Sequence, residues 1–183
     1  MTDPVALSLW CVAALLATAV LGVALSRSGV ATRLVYGVAT AISVAALLSA
    51  AVRLLNPLSD TSTLILPLGL PWIGAHFRLD VLSAFFLIVV NLGGAAASLY
   101  GLGYGRHESA PHRVLPFFPA FLAGMNLVVL SSDAFSFLLS WEFMSLTSWA
   151  MVLAHHRDAQ NTRAGYVYLV MATFGTFALL LAF

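Results

Sequence analysis

The sequence predicts an all-α bundle of about six membrane-spanning helices, with the N-terminus outside. Three observations predict it. Only 8% of the 183 residues are charged, against about 25% in a soluble domain. Mean hydropathy reaches +0.99, far too apolar for a chain that keeps a polar surface in water. The charges are gathered between apolar runs of about 20 residues, the length that carries an α-helix across roughly 30 Å of hydrocarbon. Such runs are apolar on every side, so periodicity alone does not separate strand from helix. Length does, because membrane strands are only about 9–11 residues long and alternate. Residues 1–183 read as a single transmembrane region.

Each span has its own markers. Span 1 runs from Pro4 to Ser26; Met1-Thr-Asp-Pro lacks the basic region of a signal peptide, and the apolar run is long enough to cross. Span 2, Leu34 to Val52, is bracketed by Arg33 and Arg53. The loop from Asn56 to Asp80 holds Pro57, Pro67, Gly69, Pro71 and Gly74, which rules out a helix throughout. Within it, Thr61–Leu66 and Ala75–Leu79 are expected to form a short external hairpin. Span 3, Val81 to about Tyr100, opens on Asp80 and is expected to end in a flexible turn at Gly101, Gly103 and Gly105. Span 4 runs from Val114 to about Leu130, and span 5 from Ala134 to Ala154 after an N-capping Asp133. Span 6 runs from Ala164 to Phe183.

Arginine sets the orientation. Arg27, Arg33, Arg106, Arg113, Arg157 and Arg163 follow spans 1, 3 and 5, whereas the other side holds only Arg53 and Arg78. The richer side is expected to be cytoplasmic.

Composition also excludes functions. A net charge of +1 without a basic run implies no nucleic-acid partner. Cys11 is the single cysteine and cannot alone build a disulfide, an iron–sulfur site or a zinc site. No Gly-rich dinucleotide loop and no cysteine cluster is present, so no cofactor and no redox centre is expected in this chain. His155 and His156 are adjacent in a polar loop, which is not the i, i+4 spacing of a helical metal pair. Their candidate role is proton exchange with the cytoplasm at the interface.

Glu142 is the only acid placed deep in a span. It stands about nine residues into span 5, roughly 13 Å along the helix. A charge near the bilayer centre costs about 2.5–3.5 kcal/mol on insertion scales, and such groups by default mark a proton or ion pathway. On a helical wheel Phe135, Leu138, Ser145 and Trp149 fall near it; Ser145 could donate to the carboxylate or hold a water. Asn91 in span 3 and Asn126 in span 4 are more often glue between helices than relay groups, and Asn126 stands as a supporting candidate. Thr173 and Thr176 in span 6 are expected to bond their own helix backbone.

Three stretches resemble a known family. Phe77 to Phe86 resembles the opening of the third helix in antiporter-like subunits of respiratory complex I. Phe137-Leu-Leu-Ser-Trp-Glu-Phe-Met-Ser-Leu146 resembles that family's fifth-helix motif. Arg157 to Ala172, with Gly175-Thr176 following, is closer to the large membrane subunit of group 4 hydrogenases, the hydrogenase-4 component B or formate hydrogenlyase subunit 3 type. The resemblance runs from about Leu64 to the end of the chain.

It implies a proton-translocating subunit of a hydrogenase or NADH-quinone oxidoreductase-like complex in a bacterial-type cell membrane. Its partners would be other membrane and peripheral subunits, membrane lipid and protons, with sodium as the alternative coupling ion. Glu142 matches the family's fifth-helix Glu, which pairs with a Lys on the seventh helix. This chain contains no Lys, and the family's Lys positions would fall beyond Phe183. The expectation is therefore an N-terminal fragment of a longer subunit, or one half of a split one. Two rival readings are a structural, anchoring membrane subunit without transport and a sodium–proton antiporter subunit outside any redox complex.

Overall fold

A computed structural model describes residues 3–26, 28, 30–56, 61–67, 74–105, 113–155 and 159–183. Among these residues the chain forms six α-helices and one β-hairpin: α1 Pro4–Ala24, α2 Ala31–Leu55, β1 Ser62–Leu66, β2 Ala75–Leu79, α3 Val81–Tyr104, α4 Phe117–Leu130, α5 Ala134–Val152 and α6 Ala159–Ala182. The fold is an all-α membrane bundle.

Aspartates start alternate helices. Asp3, Asp80 and Asp133 cap α1, α3 and α5, each accepting from a backbone amide in the first turn. A side-chain oxygen there satisfies a donor that has no partner within the helix. All three caps lie at the hairpin end of the bundle. Ser62 of β1 donates to the Asp3 carboxylate, and Ser132 after α4 donates its amide to the His76 carbonyl at 3.0 Å. At the opposite end Arg113 donates to the Ala154 carbonyl at 3.1 Å. Successive helices therefore run in alternating directions. The described arginines divide as the sequence grouped them, with Arg33, Arg113 and Arg163 at one end and Arg53 and Arg78 at the other.

The hairpin forms where it was expected, antiparallel with Leu64 opposite Phe77. Phe77 and Leu79 turn inward with Val5, Ala84, Leu87 and Leu130, closing that end of the core. A second cluster, centred on Leu15, Ala39 and Ala123, fills the middle. Small residues let the backbones approach: a Cβ on Gly124 would sit 2.9 Å from the Cα of Met144 in α5.

Four helices, α1, α2, α3 and most of α6, are long and apolar enough to cross a membrane by themselves among the described residues. The other two depart from equal spans for separate reasons. Helix α4 has 14 residues, about 21 Å at 1.5 Å per residue. Residues 114–116, expected in the span, form a turn, and Pro116 and Pro119 stand at the helix entry, where a missing N–H is tolerated. Helix α5 has 19 residues, and Glu142 with its serines lowers its hydropathy.

Helix ends also differ from the expected limits. Helix α2 extends past Arg33 and Arg53 at both ends, because arginine is a good helix former whose long stem lets the charge leave the apolar layer. Arg53 itself is buried and donates from Nη1 to the Asn56 carbonyl at 2.9 Å. Helix α3 continues through Gly101 and Gly103 and stops at Gly105. The expected turn is thus a correction: Gly101 serves packing, since a Cβ there would meet the Tyr36 ring at 2.7 Å.

Candidate functional site

Helices α5 and α6 form an antiparallel pair, and their register decides what faces Glu142. Phe137 meets Phe183 with ring centroids 5.8 Å apart. Leu153 packs on Gly165 at the other end of the pair. Between these contacts Glu142 Oε1 accepts a hydrogen bond from the Thr176 hydroxyl. The same hydroxyl lies 3.2 Å from the Ala172 carbonyl one turn back in α6.

The carboxyl opens on a groove of about 420 Å³ on the outer face of the α5–α6 pair, where Leu139, Phe177 and Leu180 are more than half exposed. Its polar wall is Glu142, Thr173 and Thr176; its apolar wall includes Phe135, Leu138 and Phe177. Thr173 donates to the Leu169 carbonyl at 2.9 Å, as expected of a membrane threonine. Thr176 does this and also reaches Glu142. The sequence reading missed that second contact. The short connection from α5 to α6, which makes the two helices antiparallel neighbours, was the available signal.

Phe135 and Leu138 line the cavity, whereas Ser145 and Trp149 do not. Ser145 is buried on α5. The Trp149 indole Nε1 stands 3.6 Å from where a Gly165 Cβ would be, beside the start of α6. Asn126 lies in α4, outside the cavity, and is paired with Asn91 of α3. Asn91 Nδ2 donates to Asn126 Oδ1 at 2.7 Å, and Asn126 Nδ2 returns a longer contact of 3.5 Å. Each amide also donates to its own helix, at the Leu87 and Leu122 carbonyls. The His155 side chain and His156 lie outside the described residues.

Two acids at the hairpin end are tuned outside the membrane. The Ser83 amide, opposed by partial burial and helped by Arg78, holds the Asp80 carboxyl below the usual carboxylate range. Burial alone would raise Asp133, but the amides of Ser136 and His76 outweigh it and hold that carboxyl low as well. Asp133 thus joins α5 to β2, through Ser136 at 2.8 Å and His76 at 3.0 Å. Among the described residues no cation pairs with Glu142, and no three His, Cys, Asp or Glu side chains gather as a metal site requires.

A bundle of apolar helices, four of them long enough to cross a membrane among the described residues, defines a multi-pass membrane protein. No protein-family model matches the chain. It is 36% identical over 108 residues to hydrogenase-4 component B of Escherichia coli, covering 58% of this chain and 16% of that protein. It is 30% identical over 112 residues to NADH-quinone oxidoreductase subunit L of Escherichia coli, covering 56% of this chain and 18% of that protein. A chain of the Mrp complex from Dietzia sp. superposes with a TM-score of 0.77 at 25% identity, covering 99% of this chain and 34% of that one. The chain is therefore related to the antiporter-like membrane subunits and shares their fold. It spans about a sixth of the length of the curated relatives it matches.

Proposed function

We propose that this chain acts in an antiporter-like subunit that moves protons across a bacterial cell membrane. Electron transfer elsewhere in a hydrogenase or NADH-quinone oxidoreductase-like complex drives the movement. Its partners are the other membrane and peripheral subunits of that complex. Relatives named as putative antiporter subunits support a membrane subunit engaged in ion translocation; Glu142 supplies the chemistry.

The observation that carries the reading is the Glu142 carboxyl at the α5–α6 interface, held by one hydroxyl and open to a cavity large enough for water. A cavity admits water when it offers at least one probe volume and polar partners, and here the carboxyl and two threonine hydroxyls provide them. Glu142 takes a proton from a water on one side and returns it on the other. His155 and His156 are the proposed exchange point on the arginine-rich side, which faces the cytoplasm.

Glu142→Gln keeps the size and hydrogen-bonding capacity of the side chain but cannot load a proton. Coupled proton movement should be lost while the complex still assembles; unchanged pumping would sink the role. The hydrogen bond to Thr176 also suits a purely structural, neutral Glu142, and the same variant separates the two readings. Sodium dependence of transport would identify sodium as the coupling ion instead.

A further inference from the structure

We infer that Thr176 is a positioning residue whose single hydroxyl proton switches between Glu142 and the Ala172 carbonyl as Glu142 loses and gains its proton. The inference rests on the proton-loading role proposed for Glu142.

A threonine hydroxyl has one proton to donate and two lone pairs to accept with. Thr176 has two acceptors in reach, Glu142 Oε1 and the Ala172 carbonyl oxygen at 3.2 Å. It can satisfy only one of them at a time. When Glu142 is ionised, the hydroxyl donates to the carboxylate, because a hydrogen bond to a charged acceptor is roughly twice as strong as a neutral one. When a hydronium in the cavity gives its proton to the carboxylate, one O–H bond forms on Glu142 and a water is left behind. The new carboxyl O–H then donates to Thr176 Oγ1, and the hydroxyl proton turns to Ala172. Unloading reverses each step, and the Glu142 O–H is the one covalent bond of the chain that forms and breaks.

Thr173 marks the difference. It lies one turn earlier on the same helix and lines the same cavity, yet its hydroxyl donates to the Leu169 carbonyl of its own helix. Thr176 alone of the two sits at the depth of the carboxyl. Valine has the shape of threonine and no hydroxyl, so Thr176→Val removes the switch and keeps the packing. Thr176→Ser keeps the hydroxyl and loses one methyl.

The test is infrared difference spectroscopy of the full chain in phospholipid vesicles between acid and alkaline pH. The Glu142 carboxyl band is assigned by its loss in Glu142→Gln, and proton uptake is followed in the same vesicles. Thr176→Val should shift the protonated-carboxyl band toward that of a free acid and slow proton uptake about tenfold, the scale of one hydrogen bond to a charged group. Thr176→Ser should restore both. A Glu142 band that responds to pH in the wild type and is unmoved in Thr176→Val would overturn the switch alone. No responding Glu142 band in the wild type would overturn the proton-loading role and the switch with it.

Discussion

Two of the polar contacts between helices among the described residues are built in opposite ways. The Asn91–Asn126 pair is closed. Both residues are almost fully buried, each amide bonds its partner, and each also bonds a carbonyl of its own helix. The Glu142–Thr176 pair is open: one carboxyl and one hydroxyl share a bond at the edge of a cavity. A closed amide pair has no proton to exchange and nowhere to send one, so it fixes the approach of α3 to α4. The Glu142 carboxyl has open space beside it. The comparison separates two kinds of intramembrane polarity. What separates the two sites is a titratable group with space beside it.

The comparison breaks most directly at Glu142. Glu142→Gln should remove coupled proton movement and change stability little, as read by proton transport beside thermal unfolding in lipid. Next comes the closed pair. Asn126→Leu leaves the Asn91 amide buried without its cross-helix partner, a loss of about 1–3 kcal/mol in water-based series and nearer the low end between membrane helices. Chemical denaturation in mixed micelles measures it, and proton movement per folded molecule should be retained.

At the hairpin end, Asp133→Ala removes the cap of α5 and its tie to β2. The expected loss is about 0.5–2 kcal/mol, with the hairpin amides exchanging hydrogen faster. The carboxyls of Asp80 and Asp133 are held below their ordinary range. The unfolded chain therefore binds more protons than the folded one in acid. Their contribution is whole above about pH 4, the unfolded value, and is lost as pH falls through the lower folded values. Unfolding followed from pH 6 to pH 2 should show this decline, and Asp80→Asn with Asp133→Asn should flatten it. The smallest effect belongs to Arg78→Ala. Its pair with Asp80 at 3.1 Å is half exposed on the arginine side, so the change should stay within about 1 kcal/mol.

Much of this was legible from residue types. A lone Glu in an apolar run announces itself because a carboxyl is costly there. The hairpin showed through the prolines and glycines that break up the loop from Asn56 to Asp80, and the caps of α3 and α5 through Asp80 and Asp133 just ahead of apolar runs. Helix ends were not legible, because Arg33 and Arg53 mark where the apolar layer stops and not where the backbone leaves the helix. Gly101 read as a turn and is a packing site for Tyr36, which no local pattern displays. The Thr176 contact was hidden for a related reason. Helices apolar on every side carry no periodic signal of which face meets which neighbour, so the register of α5 on α6 comes only from the folded pair.

The most direct test measures proton movement in the assembled membrane for three chains side by side: wild type, Glu142→Gln and Asn126→Leu. The account predicts loss in Glu142→Gln and retention, per folded molecule, in Asn126→Leu. Proton movement that survives Glu142→Gln, or that fails in a well-folded Asn126→Leu, would contradict it.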